Sequence, residues 1–162
     1  MIGKRIQDAL NEQIKEELGS AYLYLSMATY FYSEGFHGMA HWMRKQALEE
    51  QDHAMKMFDH IVERDGHVEL EALSEPKREW DSPLAAFKGA YAHEQFITGK
   101  IDELVKLAAE EADQQASTML QWFVEEQVEE EENTSKVVKM IEGTGPSGSN
   151  LGIIDEQLGK RK

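Results

Sequence analysis

Glu50 and His53 stand three residues apart in a long stretch that contains no proline. That spacing puts both side chains on one face of a helix, about one turn apart. The rest of the face is apolar: Met39, Met43, Ala47, Ala54, Met57 and Ile61 fall in line with them. A carboxylate and an imidazole in an apolar seam need compensation, because an unpaired buried carboxylate costs on the order of several kcal/mol. A metal ion would remove that cost. Glu-x-x-His is also the spacing with which one helix offers two ligands to a metal inside a bundle. A solvated face is the alternative, since Glu49, Glu50, Gln51, Asp52 and His53 are all polar. Matching polar groups on other helices at the same depth would decide between the two.

The elements that must position such groups follow from periodicity. Residues 5–33 read as a first helix, with Ile6, Leu10, Ile14, Ala21, Tyr24 and Ala28 as its apolar stripe and Glu17 inside it. Glu16 falls off the stripe and is expected in solvent. The helix should stop at Ser33-Glu34-Gly35, where glycine can take the left-handed cap position. Residues 36–64 form the second helix, an antiparallel neighbour across that short turn, closed by Asp65-Gly66.

Residues 65–81 lose the periodicity and contain Pro76. The second helix spans about 43 Å at 1.5 Å per residue, and an extended segment of this length reaches up to about 56 Å. The segment can therefore run the length of the bundle, a long crossover that makes helices two and three parallel. Ser82-Pro83 opens the third helix with a cap and a proline at the first helical position. Its stripe is Leu84, Phe87, Tyr91, Ile97, Ile101, Leu104 and Ala108, interrupted by Glu94. Asp113 is placed to cap a fourth helix running to about Glu142. Its stripe is Ala116, Leu120, Phe123, then Gln127 and Glu130, then Thr134, Val137 and Ile141. Residues 143–150 form a glycine-rich, flexible break. Leu151, Ile153, Ile154 and Leu158 then mark a short fifth helix that must dock to be stable, on its own bundle or a neighbouring subunit. The final Gly-Lys-Arg-Lys reads as a frayed tail.

The fold class is thus all-α, a four-helix bundle with a long crossover between helices 2 and 3 and a short fifth C-terminal helix. We divide the chain into a four-helix unit, 1–143, and a glycine-rich turn, short helix and tail of the same domain, 144–162. Each long helix carries a polar group in its core-facing stripe: Glu17, Glu50 with His53, Glu94, and Gln127 with Glu130. All four sets lie within about one turn of mid-helix, so they meet in one layer. Two single glutamates plus two i, i+3 pairs is the arrangement expected of a dinuclear carboxylate site. A buried polar network without metal is the competing reading. Oxygen ligands with limited imidazole suit iron or manganese, and calcium or magnesium would not call for the histidine.

Composition bounds the function classes. The formal charge of −14 argues against nucleic acid or an anionic membrane as partner and favours cations. With no cysteine there is no disulfide, thiolate metal site or cysteine nucleophile. No apolar run approaches the roughly 20 residues of a membrane span. The N-terminal stretch lacks the apolar core of a signal peptide, so the expected location is cytoplasmic.

Over essentially its whole length the chain resembles the bacterial non-haem ferritins. The residues that carry this are Asn11-Glu12-Gln13 with Glu17, Ala47 to His53, His93-Glu94-Gln95 with Ile97-Thr98, and the run Gln121 to Gln127. The short fifth helix after a glycine-rich turn also matches. The resemblance implies an iron-storage protein with ferroxidase activity, using dioxygen or hydrogen peroxide as oxidant. It further implies a homo-oligomeric, hollow shell of 24 subunits that holds ferric oxide mineral. By the same resemblance Glu17, Glu50 and His53 hold a first iron. Glu50 bridges to a second, held by Glu94 and Glu130 with Gln127 beside it. Glu49, Glu126 and Glu129 match a third iron site that shares Glu130, and Tyr24 matches a tyrosine able to supply an electron. The haem-binding branch would have Glu and His where Gln127 and Glu130 stand, and a haem-ligating methionine at Asp52. No haem is therefore expected, and the second iron should be held less tightly than the first.

Blander roles cover the rest. Glu125, Glu131 and Glu132 are expected on a solvated face, and His37, His41, His60 and His67 at the surface or at helix ends. His93 lies about 100° from Glu94 around the helix, so it is not a direct ligand but can support one. Met39, Met43, Met55, Met57 and Trp122 are expected to pack, with electron donation the alternative for Trp122.

Overall fold

The computed structural model describes residues 1–145, 148 and 150–162. Five helices follow in order: α1 (Lys4–Ser33), α2 (His37–Glu63), α3 (Pro83–Glu110), α4 (Gln114–Glu142) and α5 (Leu151–Leu158). The four long ones agree with the periodicity to within a residue or so at each end. Ser82 accepts from the Ala85 amide and Asp113 from the Ala116 amide, so both expected caps form. Gly35 adopts φ +83° and turns α1 into α2. Of the glycine-rich break, Pro146, Ser147 and Ser149 lie outside the described residues.

The crossover is tied to α1 along its length. The Gln7 side chain accepts from the His67 amide, Asn11 pairs with the backbone of His67 and Glu69, Lys15 meets Glu71, and Ser26 donates to the Lys77 carbonyl. As the crossover advances, so does α1. The segment therefore climbs from the end where α2 finishes to the end where α2 began, and α3 starts parallel to α2. Trp80 finishes the climb, buried against Tyr30 with ring centroids 5.5 Å apart.

The apolar interior is in two parts. One cluster runs from Tyr24 on α1 to the α5 end and includes Phe31, Met43, Phe87 and Ile141. The other runs toward the opposite end and includes Leu10, Ile14, Met57, Ile97 and Phe123. Between them, in all four long helices, lies a polar layer. The stripes hold, with shifts on two helices. On α1 the buried position is Ser20, and Ala21 is only half-buried. On α3 Ala86 and Ala90 are buried, and Leu84 and Tyr91 sit at the margin. Small side chains occupy the places where helices approach most closely. Met55 is exposed, unlike Met39, Met43 and Met57.

α5 docks on α2 of its own bundle, burying Ile154 and Leu158. Ile153, expected on its apolar face, is exposed. The Met39 amide donates to Asp155 Oδ1 at 2.7 Å. A Cβ on Gly38 would lie 1.7 Å from the Asp155 carbonyl oxygen and 3.0 Å from the Gly159 nitrogen, both backbone atoms. Gly38→Ala is therefore expected to expel α5 and to cost about 3 kcal/mol. Hydrogen exchange over residues 151–158 checks it, and unchanged protection would contradict it. The tail is not frayed. Arg161 is largely buried, with its guanidinium 4.3 Å over the Trp42 ring and its carbonyl accepting from His41 at 2.6 Å. A run of charged residues reads as solvated by composition, yet one arginine with a ring and a carbonyl to meet is enough to anchor it.

Candidate metal centre

Six side chains from four helices converge in the polar layer, each nearly or fully buried: Glu17, Glu50, His53, Glu94, Gln127 and Glu130. Each follows from its helix, because residues three or four apart repeat on one face and the flanking stripe positions are apolar. Two ligand-like groups form around a shared member. Glu17, Glu50 and His53 present atoms within 4.8 Å of one another, and so do Glu50, Glu94 and Glu130. His53 Nδ1 lies 3.2 Å from Glu50 Oε2 and 3.9 Å from Glu17 Oε2.

Four buried carboxylates in one layer form an electrostatic problem. Among the described residues no lysine or arginine pairs with any of them, and His53 lies closest, beside Glu50 and Glu17. Burial pushes the Glu50 carboxyl well above the usual carboxylate range, and Glu94, Glu17 and Glu130 push it further. Burial raises Glu17 too. Glu130 is pushed up to about 9, by burial first and by Glu94 second. The raised carboxyls of Glu17, Glu50 and Glu130 keep their protons to higher pH than free carboxyls, and a bound cation would displace those protons.

Neutral donors surround the layer. Gln13 donates to Glu17 Oε1 at 3.1 Å, and Gln46 donates to Glu50 Oε1 at 3.0 Å and to Glu130 Oε2 at 2.5 Å. The Tyr24 hydroxyl donates to Glu94 Oε1 at 2.5 Å, and Gln127 Nε2 lies 3.2 Å from Glu94 Oε2. Two buried acceptors, Glu17 Oε2 and Gln127 Oε1, have no hydrogen-bond partner. Buried oxygens rarely stay unmatched. Carboxylates, one imidazole and unmatched oxygen lone pairs are a donor set that could hold a divalent metal ion.

The remaining expected residues are placed unevenly. Glu126 stands 3.6 Å from His53 Nε2 and joins His53 and Glu130 in a third close group. Glu49 instead faces Arg161 Nη2 at 3.0 Å, and Glu129 is exposed. Glu131 is not free in solvent, since Thr98 donates to it at 2.7 Å. His93 meets Ser20 Oγ at 2.7 Å, next to Tyr24, and burial lowers its pKa. Trp122 packs edge-on against His53, centroids 5.5 Å apart, with Lys56 over its face. Gln13 and Gln46 are the functional residues that sequence reasoning missed. Their signal was a glutamine four residues before each ligand-like glutamate of the first two helices.

Comparison with known proteins shows what the whole chain is similar to. Residues 7–144 match the family model described as Ferritin-like domain. The bacterial non-heme ferritin of Bacteroides fragilis (strain 638R) is 42% identical over 161 residues, which span 99% of this chain and 100% of the relative. That of Campylobacter jejuni is 37% identical over 158 residues, 98% of this chain and 95% of the relative. Among solved structures, an open pore ferritin from the hyperthermophilic archaeon Archaeoglobus fulgidus has a TM-score of 0.98 at 48% identity, covering both chains fully.

Proposed function

Since the chain belongs to the ferritin-like domain family, with bacterial non-heme ferritins among its relatives, we propose that it stores iron by oxidising Fe(II) at this layer. The product is kept as ferric mineral inside a hollow homo-oligomer of 24 subunits. The observation that carries this is the buried layer itself: four carboxylates, one imidazole, no lysine or arginine partner among the described residues and two unmatched oxygens.

In this reading Glu17, Glu50 and His53 bind one Fe(II), and Glu94 and Glu130 bind the other, with Glu50 shared and Gln127 at the second. Each carboxyl gives up its proton as iron arrives. Anionic oxygen ligands favour Fe(III) over Fe(II), so each of the two irons gives one electron, and the two electrons with two protons reduce dioxygen to hydrogen peroxide or hydrogen peroxide to water. Tyr24, hydrogen-bonded to Glu94, is placed to supply a further electron. Gln127 is neutral where a carboxylate would hold iron harder, which suits an ion that moves on. Glu126, Glu49 and Glu129 provide a third, transient position that shares Glu130. No haem takes part.

Assembly is supported by exposed apolar side chains. Tyr22 and Leu25 on α1, and Leu70 and Leu73 on the crossover beside it, lie open to solvent, as expected of a surface that meets another subunit. Among the described residues no helix is long and apolar enough to cross a membrane; the proposed location is the cytoplasm.

The test is an aerobic Fe(II) titration of metal-free protein, followed by Fe(III)-oxo absorbance. Fast oxidation saturating at about two or three irons per chain, then continuing into a large protein-held core, is expected for this ligand set. Oxidation that stops after the first irons would point to a di-iron redox enzyme. No oxidation above the buffer rate would end the ferroxidase reading.

A further inference from the structure

We infer that Arg161 is a positioning residue for the metal layer: it fixes the Gln46 amide behind Glu50 and Glu130, and it holds Glu49 until a metal ion displaces it. The inference rests on the proposed function and concerns a contact from the last turn of the chain to its centre.

Arg161 is fixed before it reaches the layer. Its guanidinium lies over the Trp42 ring, and Nη1 donates to the Trp42 carbonyl at 3.1 Å. Nη2 then donates to two acceptors at once, Gln46 Oε1 at 2.9 Å and Glu49 Oε2 at 3.0 Å. Gln46 has no solvent exposure, and both ends of its amide are used. A guanidinium has donors only, so it admits the carbonyl end of Gln46 and no other. The NH2 end must therefore face Glu50 and Glu130, as it does. Without Arg161 the amide could turn, and its oxygen would meet carboxylate oxygens. The arginine thus sets which way a buried amide presents to two residues of the layer, although it touches neither.

Glu49 is the second half of the device. Its backbone adjoins Glu50 and its carboxylate pairs with Arg161, while Glu126 faces His53. A cation that claims Glu49 must take it from Nη2, the same nitrogen that holds Gln46. Filling a third position therefore removes one of the contacts that hold Arg161, and with it part of the anchor of the tail, while the Trp42 and Gln46 contacts remain. The tail in turn reports on the layer: α5 and residues 159–162 should become less protected as the third ion binds.

Zn(II) titration by calorimetry without dioxygen, with hydrogen exchange over residues 151–162, tests this on the full chain. In Arg161→Gln the first two ions should bind about tenfold more weakly, the usual loss when a partner behind a ligand is removed. The third should bind about threefold more tightly, the size of a half-exposed ion pair. Arg161→Lys restores the charge, so the third affinity returns, but not the planar fork, so most of the tenfold loss stays. Opposite changes at the two positions are what a merely structural tail cannot produce. Both affinities unchanged, or both falling together with lost protection of α5, would overturn the inference. Failure of the wild-type protein to take up Zn(II) would overturn the proposed function and the inference with it; normal wild-type uptake that Arg161→Gln leaves unaltered would overturn the inference alone.

Discussion

Glu50→Ala should lose fast Fe(II) oxidation and still fold. Glu50 is the one residue common to the Glu17–His53 and Glu94–Glu130 groups, so under the proposed function its removal would take a ligand from both ions at once. Loss of a residue behind a ligand typically weakens metal affinity 10–100-fold. Loss of the shared ligand should exceed that, lowering the initial rate by about a hundredfold or more. Folding is spared because two effects oppose each other. The cavity left behind destabilises, and the loss of a buried carboxylate among three others relieves desolvation and repulsion. The net change should stay within about 2 kcal/mol. Stopped-flow absorbance gives the rate and a circular-dichroism melt gives the fold. A folded variant with the wild-type initial rate would refute the bridging role.

Metal-free protein should lose stability as pH rises, and metal-loaded protein should not. Glu130 is held up to about 9, with Glu50 and Glu17 also raised above the usual carboxylate range by burial. Between those limits the folded chain binds protons that the unfolded chain has released, so stability falls as pH climbs. The contribution is complete below the unfolded carboxylate range and disappears through the folded value. For Glu130 alone it amounts to on the order of a few kcal/mol. Zn(II) or Mn(II) replaces the same protons, so the stabilisation it brings grows with pH. Melts from pH 6 to 8.5, with chelator and with Zn(II), measure both. A metal-free Tm that is flat or rises over that range would rule this out, as would a slope that Glu130→Gln does not reduce.

Much of this was legible because the polar residues interrupt otherwise clean apolar stripes. On α4 all eight stripe residues are buried as expected, including Gln127, Glu130 and Thr134. A helix with a single dry face leaves little else for its periodicity to mean. Ser20, Ala86 and Ala90 were harder, since periodicity weights bulk and close helix contact selects for its absence. Gln46 was concealed by its neighbours: in a polar run a buried glutamine resembles a solvated one until its partners are known. Arg161 could not be seen at all. Its role depends on α5 docking at Gly38, a contact between parts of the chain more than a hundred residues apart, and no local pattern encodes that.

The long crossover gives the layer a mechanical character. α1 with α2, and α3 with α4, are joined by short turns, so each pair can close early and locally. Union of the pairs is the slow, long-range step. Each half carries only part of the ligand set, Glu17, Glu50 and His53 on one side and Glu94, Gln127 and Glu130 on the other. Water solvates both sets until that union dehydrates them. In the metal-free bundle two apolar ends pull the halves together while the waist between them pushes them apart, more strongly at higher pH. Under the proposed function a bound ion would turn that waist into a clasp, because ligands from both halves would meet on it.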